Sequence, residues 1–319
     1  MPTSPTLPAT SFLDPAVLAK IGNLELLARV VVEGFINGLH RSPHLGASTD
    51  FAEHRAYMPG DDIRRIDWRL FARSDRHYVK EFEADTNTNV MVLLDVSPSM
   101  HYRGPSAGDG GVTKLEYACY LAAALAYFSS TQRDRVGLAT FDRDLVDYVP
   151  PAAKHLQLVL HALERAGHAP RPAVPRSADG GAARLLQPMR KLSESLRRRS
   201  IVVLLSDFYE EPDDVIDAAS FLRGRGNDVI LFHVLDRDER QFPFPDAGNF
   251  VDLESGERMP VVPEYLRRQY RDLVAAHVVE LERRARDQRM DYAMFDSSQP
   301  LDQALFNYLL ARQRFTRVR

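Results

Sequence analysis

The sequence predicts an α/β protein in which a mostly parallel sheet is covered by helices on both faces and preceded by an N-terminal helical extension. Two observations lead to this prediction. Short apolar runs rich in Val, Ile, Leu or Phe recur from residue 90 onward, and helical stretches separate most of them. An aspartate follows each of these runs, so carboxylates are expected wherever a core strand ends.

The composition of the 319-residue chain is that of a globular protein with an ordinary core. Hydrophobic residues make up 45% and charged residues 27%, and the formal net charge is −3. The near-neutral charge argues against a general nucleic-acid binder. A single cysteine, Cys119, excludes a disulfide framework, a cysteine-based zinc site and an iron–sulfur cluster within one chain. No apolar run is long enough for a membrane span, and we expect a cytoplasmic protein.

Three segments are expected along the chain. Residues 1–12 are rich in Pro, Ser and Thr, lack the basic and apolar regions of a signal peptide, and predict a disordered tail. Residues 13–87 form the predicted N-terminal extension. Residues 88–319 contain the alternating apolar runs and helical stretches, and therefore form the predicted α/β domain.

The extension begins with a predicted helix at Pro15–Leu39, where apolar residues recur at helical spacing and Asp14 is a suitable N-cap. Residues 61–71 place their apolar side chains on one face and predict a short helix. Residues 78–84 alternate between apolar and polar side chains and predict a strand.

The main domain alternates strands with helices. The predicted strands are Val90–Leu94, Val136–Phe141, Ile201–Leu205, Val229–Leu235 and Tyr292–Phe295. The predicted helices are Leu115–Ser130, Leu156–Ala166, Leu185–Arg198, Val215–Arg223 and Tyr265–Gln288. Thr113 and Glu116 predict a capping box before the first of these helices. Two prolines at its end indicate that Asp144–Val149 is an antiparallel edge strand, and residues 249–262 predict a hairpin.

The aspartates that follow the five strands are Asp95, Asp142, Asp207, Asp236 and Asp296. In a parallel sheet the carboxyl ends of the strands lie on one edge, and ligands bind in the crevice beyond that edge where the strand order reverses. Aspartate is also a common loop and N-cap residue, and we expect that local role for Asp142, Asp236 and Asp296. The residues around Asp95 and Asp207 favour a site.

Asp95 opens the sequence Asp95-Val-Ser97-Pro-Ser99 directly after the most apolar strand. In an extended loop, alternate residues point the same way, so one carboxylate and two hydroxyls can face one point. Hard oxygen ligands of this kind suit Mg²⁺, Mn²⁺ or Ca²⁺ rather than Zn²⁺. Asp207, preceded by Ser206, can supply a second carboxylate from the neighbouring loop. The sequence therefore predicts an Mg²⁺ or Mn²⁺ site at Asp95, Ser97, Ser99 and Asp207.

The pattern Asp95-x-Ser97-x-Ser99 resembles the first part of the metal-ion-dependent adhesion site of von Willebrand factor A-like domains. Upstream, Gly60-Asp-Asp-Ile-Arg-Arg-Ile-Asp-Trp68 and the residues around it closely resemble the bacterial domain-of-unknown-function-58 family. The resemblance extends from about Gly38 to the C-terminus and implies a von Willebrand factor A-like α/β fold. It also implies an association with MoxR-type AAA+ ATPases, and no enzymatic activity is established for the family as a whole.

One departure from the adhesion-site pattern concerns a threonine that the pattern carries in a second loop. Alignment back from Ile201 places that position at Ala182 or Ala183, where no hydroxyl is present. Asp179 or Ser177 substitutes for it only if the loop is longer or folded differently. The departure leaves open whether the ion binds weakly, through an added water, or not at all.

A second candidate surface is the charged segment before the main domain. Acidic residues at the start of the predicted short helix suit the positive end of its dipole, and Arg–Asp pairs would fasten that helix to the core. The alternative is a partner-docking surface anchored by the only tryptophan. The residues of this candidate partner surface are Asp61, Asp62, Arg64, Arg65, Asp67 and Trp68.

Catalysis finds little support in the sequence. No Gly-x-Ser-x-Gly nucleophile motif is present, and Ser97 stands where a phosphatase of the haloacid-dehalogenase type needs a second aspartate. We therefore expect a non-enzymatic protein-interaction module, an adaptor or cofactor for a MoxR-type AAA+ ATPase, that accepts a partner's carboxylate at its bound ion. The alternative is an Mg²⁺-dependent hydrolase that uses the same strand-end aspartates.

Overall fold

A computed structural model of the chain describes residues 14–41, 54–56, 78–80, 88–108, 110–170 and 181–301. The chain divides into two compact units, one formed by residues 1–35 together with 88–319 and the other by residues 36–87. The predicted tail and the predicted short helix at residues 61–71 lie outside the described residues.

The helices and strands follow one another in the alternating order that the sequence predicts. The helices are α1 (Pro15–Leu18), α2 (Leu24–Arg41), α3 (Lys114–Thr131), α4 (Leu156–Gly167), α5 (Gly181–Ser195), α6 (Pro212–Gly224), α7 (Arg237–Gln241) and α8 (Pro263–Asp287). The strands are β1 (His54–Ala56), β2 (Tyr78–Lys80), β3 (Asn89–Asp95), β4 (Arg135–Phe141), β5 (Leu145–Ala152), β6 (Ser200–Ser206), β7 (Asp228–Leu235), β8 (Gly248–Val251), β9 (Arg258–Val261) and β10 (Asp291–Asp296). Pro98–His101 and Pro105–Ala107 are short 3₁₀ helices.

The central sheet has six strands in the order β10-β7-β6-β3-β4-β5. The five strands β10, β7, β6, β3 and β4 run parallel, and β5 pairs with β4 in the antiparallel direction at one edge. The chain leaves β3 toward β4 on one side and returns to its other side as β6, so the strand order reverses between β3 and β6. This architecture confirms the predicted α/β fold class, with a mostly parallel sheet that helices cover on both faces.

The sheet is buried because its central strands carry apolar side chains on both faces. Every residue of β3 and β6 is buried. In register across three strands, Leu93 lies beside Ala139 on β4 and Leu204 on β6. Side chains such as these pack against α5, α6 and α8 on one face, whereas the alanine-rich helix α3 packs on β3 and β4. Continuous apolar strands of this kind need helices on both faces to exclude water.

The predicted helix at Pro15–Leu39 is wrong in one respect, because the structure contains two helices there. Asp14 caps α1 as predicted, with its Oδ1 accepting a hydrogen bond from the Ala16 amide at 2.8 Å. The sequence Gly22-Asn23 then starts a new helix, and the Asn23 Oδ1 accepts a hydrogen bond from the Leu26 amide at 2.8 Å. An asparagine that caps α2 in this way favours a break over a continuous helix.

Three local predictions are confirmed. Thr113 and Glu116 form the capping box of α3. Strand β5 is an antiparallel edge strand that ends in its prolines, and β8 pairs with β9 as a hairpin. The five-residue helix α7 was not predicted, although the pattern Asp236-x-x-Glu239 that starts it is a capping box.

None of the helices in the described ranges combines the length and the apolar character that a membrane crossing requires.

A buried histidine on β7 makes stability depend on pH. His233 is 1% exposed, and its Nδ1 lies 2.7 Å from the Tyr292 hydroxyl, whereas its Nε2 is buried without a hydrogen-bond partner. Burial, together with the neighbouring His277, lowers the pKa of His233 to about 3. His233 therefore stays neutral in the folded protein at a pH at which the same side chain is protonated in the unfolded chain, that is, below about pH 6.5.

We expect the free energy of unfolding to fall as the pH drops below about 6.5, with His233 contributing a loss of about 2 kcal/mol by pH 5. Urea unfolding at pH 7, 6 and 5 measures this loss for the wild type and for His233→Gln. The difference in the free energy of unfolding between the two proteins should narrow as the pH falls, because only the wild type loses stability through His233. A constant gap for His233→Gln would contradict the assignment.

Candidate functional site at the carboxyl edge of the sheet

The candidate site lies where the two central strands end side by side. Leu94 near the end of β3 pairs in register with Leu205 of β6, so the loops that follow these strands are neighbours. Asp95 is the last residue of β3 and Asp207 is the first residue after β6, and both are almost fully buried. This position between β3 and β6 is the point where the strand order reverses, which is the place where parallel sheets bind ligands.

The loop after β3 brings its carboxylate and two hydroxyls together. The Asp95 Oδ1 accepts a hydrogen bond from the Ser97 amide at 2.9 Å, and its Oδ2 accepts one from the Ser206 hydroxyl at 2.6 Å. The Ser97 and Ser99 hydroxyl oxygens are 3.0 Å apart. All of these side chains are buried, with Ser99 the most accessible at 6%. The donors hold the carboxylate in one orientation.

Two of the four predicted metal ligands, Ser97 and Ser99, have the spacing that a small hard cation requires. Adjacent ligands of an octahedral Mg²⁺ ion lie about 3 Å apart when each is about 2.1 Å from the metal. The Ser97 and Ser99 hydroxyl oxygens have this separation, and the Ser97 amide donates to the Asp95 carboxylate. Among the described residues, no group of three or more His, Cys, Asp or Glu side chains is suited to hold a metal ion, so an ion here depends on the serine hydroxyls. Its binding stays a prediction.

The fourth predicted ligand, Asp207, is held by a lysine. The Lys114 ammonium lies 2.8 Å from the Asp207 Oδ2 and 2.7 Å from the Glu239 Oε1, and it is completely buried. Its nitrogen also lies 4.7 Å from the centre of the Tyr209 ring. The triad joins the first residue of α3, the β6 loop and α7 into one buried ionic cluster. Because it is buried, breaking it leaves a charge without compensation.

The electrostatics of the triad keep the lysine charged. Burial by itself lowers the pKa of Lys114, but the carboxylates of Asp207 and Glu239 outweigh that effect and raise its pKa above the ordinary value. The ammonium therefore persists at neutral and moderately alkaline pH.

A side chain from the hairpin reaches the same loop. The Glu254 Oε1 accepts a hydrogen bond from the Ser99 amide at 2.9 Å, at the start of the 3₁₀ helix that follows Ser97. The turn that carries Glu254 is ordered by Asp252, whose carboxylate accepts hydrogen bonds from the Glu254 amide at 2.8 Å and the Ser255 hydroxyl at 2.6 Å. A further carboxylate therefore lies beside the predicted metal ligands.

Two of the other strand-end aspartates have the local roles that the sequence predicts. Asp236 caps α7, and its carboxylate also accepts hydrogen bonds from the Gly104 amide and the Ser297 hydroxyl. A side chain at residue 104 would collide with the carboxylates of Asp236 and Asp238, which explains the glycine. Asp296 accepts a hydrogen bond from the Ser298 amide and pairs with Arg240 at 3.0 Å.

Sequence reasoning missed Lys114, Glu239, Tyr209 and Glu254 as parts of the site. The capping pattern ahead of Glu239 was a readable signal, since it starts a helix just beyond a strand end. Lys114 had no such signal, because its partners lie 93 and 125 residues away in the sequence. The candidate partner surface Asp61, Asp62, Arg64, Arg65, Asp67 and Trp68 lies outside the described residues.

Comparison with known families and sequences identifies relatives of unknown function. The family model described as "Protein of unknown function DUF58" matches residues 53–280, more than two thirds of the chain. Uncharacterized proteins of Mycobacterium tuberculosis and Mycobacterium bovis are each 28% identical over 282 residues, which cover 86% of this chain and 82% of each relative.

Comparison with solved structures finds similar chains at low sequence identity. The conserved hypothetical protein BatB from Bacteroides thetaiotaomicron is 16% identical, with a TM-score of 0.45 over 71% of this chain and 99% of that chain. An aerotolerance-related membrane protein from Bacteroides fragilis is 18% identical, with a TM-score of 0.44 over 68% of this chain and 96% of that chain.

The buried triad predicts a large difference between two lysine substitutions. Lys114→Met leaves Asp207 and Glu239 buried without their cation and should lower the free energy of unfolding by about 3–5 kcal/mol. Lys154→Met removes an exposed lysine and should change it by less than about 0.5 kcal/mol. Urea unfolding at pH 7.5 measures both. A Lys114→Met protein as stable as Lys154→Met would contradict the role of the triad.

Proposed function

The chain belongs to the DUF58 family, and we propose that it is a non-enzymatic protein-interaction module that binds a partner protein at the carboxyl edge of its sheet. The observation that carries this proposal is the convergence of Asp95, Ser97 and Ser99 where the strand order reverses. Tyr209 lies at the same edge and is 49% exposed, and a partly exposed tyrosine is a frequent anchor of protein interfaces.

In this proposal, Asp95, Ser97 and Ser99 hold an Mg²⁺ or Mn²⁺ ion. Such an ion supplies a positive charge that can accept a carboxylate from the partner. The Ser206 hydroxyl and the Ser97 amide orient the Asp95 carboxylate, so this ligand needs no rearrangement. Lys114 pairs with Asp207 and holds the loop after β6 at this edge.

We propose a MoxR-type AAA+ ATPase as the partner and the cytoplasm as the place of the interaction. The partner comes from the family resemblance of the segment around Gly60–Trp68, which implies this association. The location follows from the partner, because an ATPase of this class needs the nucleotide supply of the cytoplasm. In this proposal the chain is an adaptor that provides a binding surface (the docking face) and catalyses no reaction.

The ion is tested by thermal unfolding in EDTA and then in millimolar Mg²⁺ or Mn²⁺. An ion at about 100 times its dissociation constant adds about 2.7 kcal/mol, which raises the midpoint of the wild type by about 5 °C. Asp95→Asn keeps an oxygen that accepts from the Ser97 amide, and its NH2 group can donate to the Ser206 hydroxyl oxygen, but it removes the charge, so its midpoint should not rise. Asp246→Asn, at an exposed aspartate, should respond like the wild type. The ion proposal fails if the wild type shows no rise.

The docking face is tested by co-purification with the MoxR-type ATPase of the same genome. We expect the wild type to retain the ATPase, and Tyr209→Ala to lose most of it. Its unfolding midpoint is measured alongside, because the half-exposed ring also lies over the Lys114 ammonium. Tyr265→Ala, at an 80% exposed tyrosine on α8, serves as the control. Equal retention by both variants would rule out this face. Hydrolysis of p-nitrophenyl phosphate that disappears in Asp95→Asn would contradict the non-enzymatic role.

A further inference from the structure

Lys114 and a divalent ion at the Asp95–Ser99 loop would both draw on the carboxylate of Asp207. The structure shows that carboxylate 2.8 Å from the ammonium, in a cluster that excludes water. In the sequence pattern, the same carboxylate is the second acidic ligand of the ion. One carboxylate cannot give its full charge to two cations, so the lysine and the ion are in competition.

We infer that Lys114 competes with the divalent ion for the carboxylate of Asp207. By holding this carboxylate, Lys114 lowers the affinity of the site for Mg²⁺ or Mn²⁺. The inference rests on the proposed function, because it concerns the regulation of the same site. The absence of a hydroxyl at Ala182 or Ala183 is one reason to expect a low affinity for the ion. Lys114 is a second reason, because a buried ammonium repels a divalent cation nearby.

The lysine is well placed to compete because its position is fixed on every side. Its backbone amide donates to the Tyr102 carbonyl at 3.1 Å, and the capping box of Thr113 and Glu116 fixes the start of its helix. Its ammonium has a second carboxylate in Glu239, so it remains compensated even when Asp207 turns toward an ion. The site can therefore exist in two states that differ in the counter-ion of Asp207.

This competition gives the partner a role in loading the site. In the isolated chain, Lys114 withholds one ligand, and the ion binds through Asp95, Ser97 and Ser99. A partner that contributes a carboxylate restores the missing negative charge and raises the affinity for the ion. By thermodynamic linkage, the ion raises the affinity for the partner by the same factor. The ion and the partner therefore bind cooperatively, and each binds more tightly when the other is present.

The test is the affinity for Mn²⁺, measured by electron paramagnetic resonance of the unbound ion and by calorimetry. The proteins are the wild type, Lys114→Met, Asp207→Asn, the double variant, and Lys154→Met as the matched control. We expect Lys114→Met to bind Mn²⁺ at least tenfold more tightly than the wild type, and Lys154→Met to bind like the wild type. Asp207→Asn should weaken binding much more in the Lys114→Met background than in the wild type.

The outcomes separate this inference from the proposed function. If the wild type and Lys114→Met bind Mn²⁺ equally, the competition is overturned, but the ion site of the proposed function stands. If only Lys114→Met binds, the competition is supported and the ion is excluded from the wild type at the concentrations used. If neither binds, both ideas fail. If Lys114→Met does not fold, Asp207→Asn decides: a loss as large as that of Asp95→Asn overturns the inference, and a much smaller loss supports it.

Discussion

Parallel strands bring their carboxyl ends to one edge, and at this edge the buried ammonium of Lys114 pairs with carboxylates from distant parts of the chain. Lys114 connects the start of α3, the loop after β6 and helix α7, with bonds of 2.8 Å and 2.7 Å to its two partners. A charge in such surroundings is stable only when it is paired and hydrogen-bonded. The packing of three elements at the candidate site therefore depends on one side chain that carries no reactive role.

Other buried carboxylates at this edge are stabilised by hydrogen bonds instead of by a lysine. Asp95 is satisfied by a backbone amide and a serine hydroxyl, and Asp236 by amides at the start of α7 and from the neighbouring loop. These donors fix the orientation of a buried carboxylate, whereas Lys114 places a positive charge directly beside Asp207 and Glu239.

The fold could be predicted from the sequence because its signals are local. Runs such as Val90–Leu94 are apolar throughout, and the helix start at Thr113 is visible within four residues. The cluster Asp95, Ser97 and Ser99 was found for the same reason. The partners of Asp207 could not be found in this way, because the contact between Lys114 and Asp207 spans 93 residues and only the strand order brings the two together. Tyr209 and Glu254 likewise become site residues only through tertiary packing.

The contacts of the site join residues that are far apart in the chain, at separations of 111 residues for Ser206 with Asp95 and 155 for Glu254 with Ser99. Closing such long loops is entropically unfavourable until the central strands have paired, so these contacts are expected to form late in folding. During synthesis, the first three strands of the sheet emerge well before β6, α7 and the hairpin. A partner that recognises this edge consequently binds only chains that have been completed. Binding at the docking face therefore distinguishes folded chains from incompletely folded ones.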